Sequence, residues 1–249
     1  MPSSSVAKHP LRLRLDASVA YLCLERALID QDLAQRLCAA AEDLEHDDRV
    51  ALVVIEGAGR SFCAGVERSD SWQRTFDFVQ AIANLTCPVI AAMRGDAIAE
   101  GLELALACDI RLFSDTARCC MPQLTQGRLP CHGGTQRLSR IVGRTRAFDL
   151  LLTGRTVRAA EAERIGIASR VFRKARFNAS LAAVVAELAA KGPVALRYAK
   201  EAILKGSDLT MDQGIRLEED LYALLQTTAD RAEGVEAFLK KRKPHYRGK

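Results

Sequence analysis

No stretch of this 249-residue chain is apolar for the roughly 18 residues that a membrane span requires. Runs such as Val50–Ile55, Val89–Met93 and Leu104–Cys108 stop far short of that. The N-terminal MPSSSVAKHP lacks the apolar stretch of a signal peptide. Aromatic residues are scarce, at 5%, so the net charge of +5 is not interleaved with a stacking platform for bases. The cations are spread along the chain except in the terminal KKRKPHYRGK, a segment that reads as a solvated end or as a contact to phosphate. Neither a nucleic acid nor a membrane is therefore expected as a partner. The eight cysteines form no C-x-x-C pair and mostly sit in apolar context, which predicts reduced, buried thiols and a cytoplasmic or similarly reducing compartment. The four histidines, at 9, 46, 132 and 245, are too scattered for a metal site. There is no phosphate loop, no G-x-G-x-x-G fingerprint and no G-x-S-x-G elbow.

What is present is an ordinary globular balance, 49% hydrophobic and 27% charged, long enough for one main unit with an appendage. Residues 11–15 and 19–25 alternate as a hairpin. Asp30 is placed to cap a helix whose apolar face is Leu33, Leu37, Ala40, Ala41 and Leu44, and Arg49–Glu56 follows as a buried strand. A strand, helix, strand order with a continuous apolar second strand predicts an α/β fold around a parallel sheet. The glycine-rich GAGRSFCAGVE after that strand reads as an ordinary turn or as a loop that lets a ligand approach backbone N–H groups. Residues 71–84 read as a further helix, 109–114 as a strand, 121–134 as a Gly/Pro loop holding His132, and about 178–242 as helical throughout.

The chain is organised around CPVIAAMRGDAIAEGLELALACD, residues 87–109. It predicts a buried strand, a tight loop through Gly95, and a helix beginning near Ala99. Such a helix aims its unpaired N–H groups into the crevice at the strand's end, where they favour an anion. Glu103, one turn in and flanked by Leu102, Leu104, Ala105 and Leu106, is expected at the edge of the core. Burial there raises a carboxyl pKa and suits it to proton transfer. A helix-start Glu interacting with the dipole is the alternative from periodicity alone.

Five segments, FCAGVE (62–67), residues 87–112, GRLPCHGGTQRLSRIVG (127–143), LTGRTVRAAEAERIGIASRVF (152–172) and DRAEGVEAFLKKRKPHY (230–246), occur in the order found in the enoyl-CoA hydratase/isomerase (crotonase) superfamily, which the chain resembles from about Val19 to Arg247. The resemblance implies an α/β spiral of ββα units over residues 11–190 and a helical region, 191–249, used for trimerisation and often for a hexamer of two trimers. It implies an acyl-CoA thioester as substrate, with coenzyme A entering only as part of that substrate and no tightly bound cofactor or metal. By position in the motifs, the backbone N–H groups of Ala64 and Glu100 are the expected oxyanion hole, worth roughly 3 to 4 kcal/mol per donor. Cys63, Gly65 and Val66, in the same loop, are expected to contact the substrate thioester. Phe238 and Lys241 fall where the family contacts coenzyme A, and Arg26 is a substitute contact in the short segment CLERALIDQDL.

Three departures accompany the match. Family hydratases hold a water between two carboxylates; the first position is Glu103, but the second is Gln123, an amide that can orient a water and cannot exchange its proton. The oxyanion position usually held by Gly carries Glu100, whose side chain must point to solvent or repel an anionic substrate. The loop after the hairpin is short. The resemblance thus implies hydratase or isomerase chemistry through an enolate with Glu103 as sole acid/base. The alternatives are decarboxylation or thioester hydrolysis on the same fold, or a crotonase-fold binding protein without activity.

Overall fold

The computed structural model describes residues 9–67 and 77–249. In chain order the elements are β1 (Leu11–Asp16), β2 (Val19–Leu24), α1 (Gln31–Glu45), β3 (Leu52–Gly57), β4 (Ser61–Cys63), α2 (Phe78–Ala83), β5 (Val89–Met93), β6 (Asp96–Ile98), α3 (Glu100–Ala107), β7 (Ile110–Ser114), β8 (Arg118–Cys120), α4 (Gly134–Val142), α5 (Arg144–Thr153), β9 (Val157–Arg158), α6 (Ala159–Arg164), β10 (Arg170–Phe172), α7 (Phe177–Ala189), α8 (Pro193–Gly206), α9 (Met211–Gln226) and α10 (Ala229–Leu239).

The long strands, with the three-residue β10 at one edge, form a sheet in the order β1-β2-β3-β5-β7-β10, parallel except for the β1–β2 hairpin. Successive residues of β3 and β5 bury opposite faces, as a period of two requires. Val53, Ile55, Val89, Ala91 and Met93 join the core with α1 and α3, while Leu52, Val54, Ile90 and Ala92 meet Phe177, Leu181, Val184 and Val185 of α7. With both faces covered, these strands read as continuous apolar runs. Each fully buried Val, Leu or Ile contributes roughly 1.5 to 3 kcal/mol. Asp30 caps α1 as expected, accepting the Leu33 N–H at 2.8 Å.

The short strands build a second sheet, β4-β6-β8-β9, parallel but for the last pair. Each turn of the chain therefore runs long strand, short strand, helix, which is the ββα spiral. The expected helix over residues 71–84 is present as α2 from Phe78; positions 71–76 lie outside the described residues. The expected helical tail is four helices. Lys200 on α8 is buried and ties that helix to the core through Asp109 at 2.8 Å and the Cys87 carbonyl at 3.0 Å. On α9 Leu221 alone is buried. Ile203, Met211, Tyr222, Leu224, Phe238 and Leu239 on α8 to α10 are exposed. Among the described residues no single helix is long and apolar enough to cross a membrane, and no group of three or more His, Cys, Asp or Glu side chains is placed to hold a metal ion.

Candidate active site

Every residue of α3 is buried. The helix starts where β6 ends, and Ala99 makes the corner with φ 52° and ψ −120°, a left-handed conformation that costs a residue with a Cβ. Its own N–H is held by the Cys120 carbonyl at 3.0 Å, and its carbonyl takes the N–H groups of Leu102 and Glu103. Glu100, as the first helical residue, has no carbonyl one turn back to bond. Gly101 follows because a Cβ there would drive into the carbonyl of Cys63 on β4.

Glu103 is completely buried. Its Oε1 accepts the N–H groups of His132 and Gly134, both at 2.8 Å, and its Oε2 accepts Gln123 Nε2 at 3.2 Å. A Cβ on Gly134 would stand 2.8 Å from Oε1, so glycine is what lets α4 begin against this carboxylate. Burial pushes the Glu103 pKa above the ordinary carboxylate range. The two backbone N–H groups and His132 oppose that shift, and the nearby Glu100 charge adds to it.

Gln123 is fully buried, and its Oε1 has no partner among the described residues. Turning the amide over lets it serve either state of Glu103: Nε2 donates to the carboxylate, and Oε1 accepts from the carboxylic acid. The arrangement can hold a proton on Glu103 or take one away, but the second proton-exchanging group is absent at position 123. His132, expected in the Gly/Pro loop, is buried beside it. Its Nδ1 lies 3.2 Å from Asp77 Oδ1, its ring packs on Phe78 at 5.0 Å, and its Nε2 has no partner among the described residues. Sequence spacing gave no signal for the Asp77–His132 contact, which spans 55 positions.

The N–H expected at Ala64 requires correction. It donates to the Ala27 carbonyl at 2.6 Å and is not free. Residues 64–67 run alongside 27–29, with Ile29 N–H on the Gly65 carbonyl and Glu67 N–H on the Ile29 carbonyl, each closing the seam. Val66, between them, points its N–H the other way, toward α3. There it meets Oε2 of Glu100 at 3.2 Å. The Glu100 side chain is 3% exposed, so it does not point to solvent; its Oε1 takes Arg128 Nη1 at 3.1 Å.

The remaining expected residues are dispersed. Cys63 is buried, with its thiol pushed up to about 12 by desolvation, and lies against the Gly65 carbonyl rather than facing an opening. Arg26 is ion-paired with Asp30 in the β2–α1 loop. Phe238, 82% exposed, and Lys241 lie at the end of α10, and no hydrogen bond or ion pair among the described residues joins them to the Glu103 cluster. Phe238 instead borders a cleft of about 330 Å³ with Leu225, Val235, Leu239 and Tyr246.

A ββα spiral that delivers a buried carboxylate one turn into a helix is the architecture that the five sequence segments predict. Residues 14–249 match the family profile described as Enoyl-CoA hydratase/isomerase, and the chain belongs to that family. It is 37% identical over 226 residues to a probable enoyl-CoA hydratase of Rhizobium meliloti, covering 86% of this chain and 87% of that one. It is 34% identical to the 2,3-dehydroadipyl-CoA hydratase of Escherichia coli, covering 96% and 95%. The solved enoyl-CoA hydratase of Bacillus anthracis superposes with a TM-score of 0.92 at 31% identity, over 96% of this chain and all of that one.

Proposed function

We propose that this protein binds an acyl-CoA thioester and carries out hydratase or isomerase chemistry through a thioester enolate, with Glu103 as its acid/base. The observation that carries the reading is the setting of Glu103: a buried carboxylate of raised pKa, held by the N–H groups of His132 and Gly134, in the first turn of α3. A group of that kind removes a proton from carbon or water and returns it within one turnover. The backbone N–H groups of Val66 and Glu100 are the oxyanion donors in this proposal, in place of Ala64, and stabilise the oxygen of the developing enolate. Gln123 orients water or substrate and does not exchange protons. The eight unpaired cysteines support a reducing, cytoplasmic setting, and the exposed apolar residues of α8 to α10 support assembly as a trimer or hexamer. Phe238, Lys241 and Arg26 remain the proposed contacts to coenzyme A.

The amide of Gln123 in place of a second carboxylate favours a second reading, decarboxylation of a malonyl-type thioester, because that reaction needs the oxyanion donors and no second carboxylate. The test is a mass-spectrometric screen of the purified protein against 2-enoyl-, 3-enoyl- and malonyl-type CoA thioesters in deuterated water, with Glu103→Gln alongside. Glu103-dependent uptake of water or deuterium supports the first reading. Glu103-independent loss of carbon dioxide supports the second. No turnover and no coenzyme A binding would leave a non-catalytic crotonase-fold protein.

A further inference from the structure

One N–H of the proposed oxyanion hole is already occupied by a carboxylate of this chain. Glu100 supplies one donor with its backbone and covers the other with its side chain, Oε2 accepting the Val66 N–H at 3.2 Å. Two further residues make this a fitted seat. Arg128 Nη1 holds Oε1 at 3.1 Å, and Gly65, at φ +111°, leaves the room, since a Cβ there would stand 2.9 Å from Oε2. The side chain is almost completely enclosed while Arg128 is about one-third exposed, so the carboxylate faces inward and the cation lies at the opening. Arg128 Nε is buried without a partner among the described residues, which leaves the guanidinium a further donor.

We propose that Glu100 is a positioning residue that acts as a built-in competing ligand of the oxyanion hole, with Arg128 as its holder. The proposal rests on the reading of Val66 and Glu100 N–H as thioester-oxygen donors and deepens it. A thioester oxygen and a carboxylate oxygen cannot both take the Val66 N–H at good geometry, and a developing enolate beside an ionised carboxylate is repelled. The thioester therefore enters only when the Glu100 side chain turns off Val66 and both its oxygens are carried by Arg128, whose fork accepts a carboxylate in that manner. The pair selects for thioesters whose remaining contacts are strong enough to drive that exchange. Free coenzyme A has no carbonyl oxygen at this point and does not compete with Glu100.

The experiment compares free coenzyme A with butyryl-CoA, a saturated thioester, by titration calorimetry on the wild-type protein and on Glu100→Gly. The expected result is unchanged affinity for coenzyme A and butyryl-CoA bound at least tenfold tighter by the variant, about 1.4 kcal/mol. A carbon-13 label in the thioester carbonyl gives the second readout: its infrared stretch moves to lower frequency in Glu100→Gly than in wild type, because two N–H groups then reach the oxygen. Should that variant not fold, Glu100→Gln keeps the side-chain length without the charge and is expected to tighten butyryl-CoA at least threefold. Equal preference for butyryl-CoA over coenzyme A in wild type and variant, with an unmoved carbonyl stretch, overturns the proposal and leaves Glu100–Arg128 a structural ion pair. Failure of every form to bind coenzyme A overturns the underlying thioester reading instead.

Discussion

Gln123 donates its Nε2 to Oε2 of Glu103 across 3.2 Å while its own Oε1 has no partner among the described residues. An uncharged, reversible neighbour lets one buried carboxyl change protonation state without a second charge opposite it. Gln123→Glu removes the donor and sets two carboxylates face to face. It is expected to lower the unfolding free energy at pH 7 by roughly 2 to 4 kcal/mol. Such a pair retains a proton above the ordinary carboxylate range, so the deficit shrinks as the pH is lowered toward 5. Urea denaturation at several pH values measures it; a deficit independent of pH contradicts the contact as described.

Glu103→Gln acts in the opposite direction on stability. The folded-state pKa of Glu103 is raised, chiefly by burial. Its favourable contribution is therefore complete below the unfolded value of about 4.3 and is lost as the pH rises through the folded value. The amide oxygen still accepts the N–H groups of His132 and Gly134, and Gln123 can turn its Oε1 to the new NH₂. The variant is expected to be more stable than wild type at pH 8, the advantage fading toward pH 4. A stability difference between variant and wild type that does not change between pH 4 and pH 8 contradicts the raised pKa.

Gly134→Ala brings a methyl group to 2.8 Å from Oε1 and 2.9 Å from Cγ of Glu103, which must move aside. Displacement of a reacting group by about 1 Å costs on the order of 10²-fold in rate. The expected outcome is a fall of that size in kcat with coenzyme A affinity retained. Unaltered kcat would mean that the carboxylate's present position is not the one used in the reaction.

Ala99 occupies a left-handed corner at φ 52°, ψ −120°. Ala99→Gly relieves strain but adds freedom to the unfolded chain, and the net expectation is a gain of about 1 kcal/mol. Thermal or urea unfolding checks it. A loss of stability would show that the corner relaxes to accommodate the Cβ.

The larger sheet was legible because β3 and β5 are apolar runs bounded by turn residues, and α1 because Asp30 and the spacing of Leu33, Leu37 and Leu44 agree. The second sheet was not. β4, β6 and β8 have three residues each, too few for any period, and they sit inside text that reads as a glycine-rich or tight loop. The choice between the Ala64 and Val66 N–H depends on the seam between residues 64–67 and 27–29, a pairing made only in the folded chain. Glu103 could be singled out from its apolar neighbours, whereas the direction of Glu100 is set by Arg128, 28 positions away, and by the absent side chain of Gly65. Sequence position singled out the turn of helix that holds Glu100 and Glu103, and only the fold assigned their side chains.

In the proposed reaction Glu103 moves a proton at the carbon next to a thioester. The most direct measurement is deuterium exchange at that carbon of butyryl-CoA in deuterated water, followed by mass spectrometry, for wild type and Glu103→Gln. Enolate chemistry predicts exchange by the wild-type protein and a fall of roughly 10² to 10⁴-fold in the variant. Exchange at the same rate in both would contradict the role given to Glu103, and no exchange by a wild-type protein that binds butyryl-CoA would contradict enolate formation itself.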